Sequence, residues 1–199
     1  MGKIGSLVVI GLVVLLGMAG VSSYNKLVKL GQGVDGQWAQ VENAYQRRAD
    51  LVPNLVETVK GAAKFERETL TAVTEARARV GQVAAQPPSQ ITSDPAALQR
   101  FQQAQEGLGT ALSRLLVVAE QYPELKATAN FRDLQVQLEG TENRITVERM
   151  RFNESAQAFN TARQSFPAVV LAGFFGSRFA EKAYFRAQAG AATAPQVKF

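Results

Sequence analysis

The sequence predicts an all-α protein in which an N-terminal transmembrane helix leads into an elongated antiparallel bundle of about four helices. Three observations carry the prediction. An uncharged apolar run opens the chain, three long stretches then repeat apolar residues at alternating spacings of four and three, and no stretch alternates like a strand between hairpin turns.

The run from Ile4 to Asn25 contains no charged residue. As a helix it reaches roughly 33 Å, enough to cross a hydrocarbon core of about 30 Å. Lys3 flanks one end and Tyr24, Lys26 and Lys29 the other, where interfacial anchors belong. A cleaved signal peptide is the alternative, with Val21-Ser22-Ser23 as its small-residue cleavage site. The length of the run and its single-lysine leader favour an uncleaved anchor, residues 1–25. The flanking charges balance and assign no orientation. Residues 26–36, with Gly31, Gly33 and Gly36, read as a flexible juxtamembrane joint.

The bundle occupies residues 37–186, its first seam beginning just before that boundary. That seam runs Val34, Trp38, Val41, Tyr45, Arg48, Val52, Val56, Val59, Ala63, Glu66, Leu70, Val73, Arg77, Val80. The seam continues through Pro53, with one doubled step of four from Arg48 to Val52 to Val56, which predicts one long helix kinked there; a separate helix with Pro53 in its first turn is the alternative. Pro87-Pro88 ends this stretch, and Ser93-Asp94-Pro95 supplies a cap followed by a first-turn proline. The second seam runs Leu98, Phe101, Gln105, Leu108, Leu112, Leu115, Ala119, Tyr122, and Tyr122-Pro123-Glu124 turns the chain. The third runs Ala127, Phe131, Leu134, Leu138, Thr141, Ile145, Glu148, Phe152, Ser155, Phe159, Ala162, Phe166, closed by Phe166-Pro167. A fourth helix is predicted from Ala168 to about Arg186, and residues 187–199, rich in Ala, Gly and Pro, form a flexible tail.

Among the 199 residues there is neither cysteine nor histidine. Disulfides, thiolate nucleophiles, Ser-His and Cys-His dyads, and His- or Cys-ligated metals are thereby excluded. A ferritin-type di-metal site needs Glu-x-x-His pairs, and no Gly-Lys-Ser/Thr phosphate loop is present. A carboxylate pair such as Glu66 with Glu148 would need an open cleft, which no sequence feature suggests. The expectation is a protein without catalytic residues, metal or cofactor.

The chain carries 22 basic and 17 acidic residues, a net charge of +5, and has a sequence pI near 9.7. The excess lies at the two ends: Lys3, Lys26 and Lys29 at one, and Arg178, Lys182, Arg186 and Lys198 against Glu181 at the other. Residues 31–177 hold 15 basic and 16 acidic side chains. A near-neutral body lacks the basic stripe of a nucleic-acid binder.

Four charged residues fall in the seams: Arg48, Glu66, Arg77 and Glu148. A buried charge is costly unless paired, so these should meet one another or reach the rim, and they set register and partner choice as polar seam positions do in coiled coils. Two dense polar runs accompany them: Arg47 to Val56, with Arg47 and Asp50 one turn apart, and Leu138 to Ile145, followed by Arg149, Phe152 and Asn153. Surface ion pairs explain such runs at a few tenths of a kcal/mol each. A partner-recognition surface is the functional reading. The candidates for recognition or a buried polar network are Arg47, Arg48, Asp50, Asn54, Glu66, Arg77, Glu142, Asn143, Glu148, Arg149 and Asn153.

These motifs also carry a resemblance. Tyr24-Asn25-Lys26-Leu27-Val28, Trp38-Ala39-Gln40-Val41-Glu42, Tyr45 to Val56 (YQRRADLVPNLV), Val59-Lys60-Gly61 and Ala76-Arg77 belong to it. So do Tyr122 to Ala127 (YPELKA), Phe131 with Leu134-Gln135, Leu138 to Ile145 (LEGTENRI), Arg149 with Phe152-Asn153, and Phe166-Pro167. In these the chain resembles the LemA family. It departs mildly, with Ala63 and Phe65 where many relatives have tyrosine and histidine, and Phe152 and Phe159 where tyrosines are common. The resemblance implies a bundle on a single-pass anchor in the bacterial inner membrane, and carries over no enzymatic activity or cofactor. It also implies association with membrane metalloproteases or TPM-domain proteins.

The function expected is therefore a non-enzymatic scaffold or interaction protein of the envelope, contacting the membrane through residues 4–25 and binding another membrane or envelope protein. Self-association remains an open partner class. The alternative is a lipid- or small-ligand-binding module using the basic, Phe-rich C-terminal segment: Phe174, Phe175, Arg178, Phe179, Lys182, Phe185 and Arg186.

Overall fold

The computed structural model describes residues 2–60 and 67–186, with side chains from residue 5 onward. Glu66 and the tail 187–199 lie outside the described residues. The elements are α1 (Gly2–Lys60), α2 (Arg67–Ala84), α3 (Pro88–Ser93), α4 (Pro95–Ala119), α5 (Pro123–Lys126), α6 (Ala129–Gln164), α7 (Ala168–Phe175) and a 3-10 turn at Gly176–Phe179. There is no strand among the described residues.

At 59 residues, α1 is about 88 Å long. Its first part is long and apolar enough to cross a membrane, and none of its most apolar window is buried. The helix does not stop at the glycines. Gly31, Gly33 and Gly36 are helical, so the expected joint is instead part of one rod. Helix on both sides and the packing of Leu27, Val34 and Trp38 into the core outweigh a cost of about 1 kcal/mol per glycine. The helix also continues through Pro53.

The seams define the packing. α1 and α6 run antiparallel, with Trp38 against Phe152 and Arg48 against Glu142. α4 rises alongside α1, where Phe101 meets Trp38 and Tyr45, and α2 packs on α4. Asp94 caps α4 by accepting from the Ala96 amide, as the Ser-Asp-Pro signal predicts, and Thr128 caps α6 through the Phe131 amide.

Three seam positions differ from expectation. Ala127 precedes α6 and is exposed; Ala156 replaces Ser155 inside; and Phe166 is 80 % exposed. Ala127 and Phe166 lie just outside α6, so its helical phase does not orient them, while within α6 the row Phe131, Leu138, Ile145, Phe152 and Phe159 stays buried and Ala156 joins it beside the half-buried Ser155. The fourth helix is also shorter than predicted. It ends at Gly176, whose φ of 52° favours glycine, and after the 3-10 turn residues 180–186 continue without helix.

Candidate functional site

Among the described residues the apolar interior forms two clusters. One gathers Trp38, Val41, Tyr45, Phe101, Ile145, Phe152 and Phe159; the other gathers Val52, Val56, Leu108, Leu112, Phe131 and Leu138. Each seam steps from the first cluster to the second across one polar residue: Arg48 between Tyr45 and Val52, Gln105 between Phe101 and Leu108, and Thr141 between Leu138 and Ile145.

Arg48, 3 % exposed, organises this layer. One terminal nitrogen donates to both Glu142 carboxylate oxygens at 3.0 and 3.3 Å, and the other to the Gln105 backbone carbonyl at 2.8 Å and to its side-chain oxygen. The guanidinium also lies over the Tyr45 ring, 5.1 Å from its centroid. Burial holds the Tyr45 hydroxyl above its ordinary pKa, against the pull of Arg149 and Arg48. The layer ties α1, α4 and α6 at one level, which fixes their register.

A second polar site lies about two turns away along α6. Glu148, 2 % exposed, accepts from Gln37 of α1 at 2.7 Å and from Arg151 at 3.3 Å, with Arg144 at 3.6 Å. Arg77 is exposed, and its Nε donates to the Ala49 carbonyl at 3.0 Å.

Arg149 and Asn153 work elsewhere, on the extended C-terminal segment. Asn153 donates to the Phe185 carbonyl and accepts its amide, at 3.0 and 2.9 Å. Seven residues on, Asn160 does the same to Lys182, at 2.8 and 2.9 Å. Arg149 and Gln102 both donate to the Arg186 carbonyl, and the Ala183 amide donates to the Thr92 carbonyl. Two helical turns per heptad match three extended residues, so the paired asparagines read the strap at consecutive anchor points. Phe185 is the side-chain anchor, stacked on Trp38, edge-on to Phe152 and capped by Arg149.

The remaining candidates face outward. Arg47, Asp50 and Asn54 lie on one exposed face of α1, and Asn143 is exposed on α6. Asp50 accepts from Gln46, not from Arg47. Among the described residues Arg47, Asn54 and Asn143 make no side-chain hydrogen bond or ion pair. No group of three or more Asp or Glu placed to hold a metal occurs among the described residues.

Sequence reasoning missed Asn160, Gln37 and Thr92 as contributors. Asn160 carried a usable signal: a polar residue beside the seam, one heptad after Asn153. The strap itself had none, because its phenylalanines fit a helix as well as an extended segment.

The chain is 27 % identical over 172 residues to magnetosome protein MamQ of Magnetospirillum gryphiswaldense, covering 79 % of this chain and 63 % of the relative. It is 26 % identical over 177 residues to magnetosome protein MamQ 2 of Paramagnetospirillum magneticum, covering 82 % and 64 %. The chain thus spans less than two thirds of the length of these curated relatives. The model described as LemA family matches residues 37–199, the polar layer and the strap among them, and the chain belongs to the LemA family.

Proposed function

We infer that this protein is a membrane-anchored, non-enzymatic scaffold whose outward polar row on α1 binds another membrane or envelope protein. The division of a single motif carries the reading. Within Arg47 to Val56, Arg48, Val52 and Val56 serve the interior, while Arg47, Asp50 and Asn54 face solvent, and Arg47 and Asn54 have no partner among the described residues. Polar side chains left free on a rigid helix are suited to recognition. Arg47 stands about 35 Å along α1 from Tyr24, so the partner needs a domain reaching that far from the bilayer. A membrane metalloprotease or a TPM-domain protein is the class proposed. The apolar, uncovered first part of α1 supports the anchor, and the bonds that both terminal nitrogens of Arg48 and the Glu148 carboxylate make inside the bundle support a structural role for them.

A photo-crosslinking residue at position 47 or 54 of the anchored chain, in native membranes, tests this. A discrete adduct from those positions, absent from position 117 on α4 and lost with Asp50→Ala, is the expected result. Equal labelling from all three positions, or adducts only with a second copy of the chain, would overturn it.

A further inference from the structure

We propose that α7 is a second membrane contact, an interfacial helix that dips into the lipid surface beside the point where α1 leaves it. Its inner face, Ala168 and Ala172, packs into the bundle, whereas Val170 and Phe174 are 64 % and 85 % exposed. From Phe166 to Ser177 no residue is charged. An exposed apolar patch of this kind on a folded domain marks an interaction surface.

Position identifies lipid as the occupant. The Tyr24 ring of α1 packs on Phe175 and Phe179 at 5.3 and 5.5 Å, with the Arg178 guanidinium over it at 5.5 Å. Tyr24 lies three residues, about 4.5 Å of rise, beyond Val21 at the end of the exposed apolar stretch of α1. Phe175, packed edge-on against Phe174, therefore brings the exposed end of α7 beside the last turn of the uncovered apolar stretch of α1. Tyrosine and cationic side chains at that level, with Lys26 and Lys29 on the next turns of α1, match the aromatic and headgroup layer of a bilayer containing anionic lipid. With α7 inserted, the bundle is held at two points and cannot swivel about α1. This rests on the reading of α1 as a membrane anchor.

The chain has no cysteine, so a single introduced thiol labels one position. Leu15→Cys, Phe174→Cys and Val117→Cys variants of the full chain, each carrying an environment-sensitive fluorophore, are reconstituted in phosphatidylethanolamine and phosphatidylglycerol vesicles with brominated acyl chains. The expected result is strong quenching at 15 and 174, at least about threefold above that at 117. Quenching at 15 with none at 174 leaves the anchor standing and overturns the α7 contact. Protection of 174 from aqueous iodide without bromine quenching assigns the patch to a protein neighbour and also overturns it. No quenching at 15 overturns the anchor itself. Since residue 174 is on the surface, its substitution does not disturb the bundle, and Val170→Asp should lower quenching at 174 while leaving that at 15 unchanged.

Discussion

Arg77 of α2 donates its Nε–H to the carbonyl oxygen of Ala49, and Ala49 lies four residues before Pro53. Proline has no amide hydrogen, so the carbonyl one turn earlier loses its helical donor. Arg77 supplies the replacement from a neighbouring helix, and in doing so ties α2 to α1. Removing it should leave that carbonyl unsatisfied, at about 1–2 kcal/mol. Arg77→Met should therefore lower the urea midpoint of the full chain in detergent. In a Pro53→Ala background, where the amide is restored, the same change should cost under about 0.5 kcal/mol, and the coupling energy reports the pairing. Equal losses in both backgrounds would show that Arg77 stabilises by other means.

The polar layer makes a different prediction, because its members are bonded to one another. Arg48→Met takes the donor from the buried Gln105 side-chain oxygen, while the Gln105 carbonyl keeps its bond within α4, and leaves Glu142 to turn to water, which its 44 % exposure permits. The expected loss is about 3 kcal/mol, at the low end for a broken buried ion pair. Replacing Arg48, Gln105 and Glu142 together by Met, Leu and Leu should recover most of that loss, since the layer then joins the two apolar clusters. What it should not recover is register. Engineered disulfides between α1 and α6 placed one heptad out of phase should form in the triple variant and fail in the parent.

The strap is held by hydrogen bonds to its backbone, so amide exchange reads it directly. Asn153→Ala removes both bonds to Phe185 and Asn160→Ala both bonds to Lys182, each worth about 1–3 kcal/mol in total. Exchange at residues 182–185 should rise by roughly ten- to a hundredfold in either variant, while α4 stays protected. Asn153→Asp should be worse than alanine, because a carboxylate oxygen then faces the Phe185 carbonyl. Unchanged exchange would mean that Phe185 packing alone holds the segment.

The pattern in the sequence made the bundle legible where it was periodic, and failed where packing between distant segments decided the outcome. Leu98, Phe101, Gln105, Leu108, Leu112, Leu115 and Ala119 are all buried as the four–three spacing predicts, because one helix face buries itself against any neighbour. Gly31 to Gly36 misled because composition suggests a joint, whereas Val34 and Trp38 in the same turns are anchored in the core. Residues 180–186 misled because their extended form depends on Asn153 and Asn160, which reach them across at least 22 residues of chain. Arg48 and Glu148 were legible as polar seam positions, and Gln105 as an inward one, but that Gln105 meets Arg48 was not, and Gln37, the partner of Glu148 on α1, lies outside every seam. The outward half of the candidate set, Arg47, Asn54 and Asn143, shares its motifs with the inward half, and only the helical phase separates the two.

Alkaline titration tests the burial of Tyr45. Desolvation raises its pKa above the ordinary 10.0, with Arg149 and Arg48 opposing the shift. The unfolded tyrosine ionises near 10, so above that pH the unfolded state gives up a proton that the native state still holds. Stability contributed by the buried neutral ring is therefore complete below pH 10 and is lost as pH rises through the native value. The limiting slope for one such group is about 1.4 kcal/mol per pH unit. The urea midpoint of the chain should be flat between pH 8 and 9 and fall above 10. Tyr45→Phe should keep the ring against Phe101 and under Arg48 while removing this share of the slope. Identical alkaline slopes for the parent and the variant would show that the Tyr45 hydroxyl titrates alike in the folded and unfolded chain.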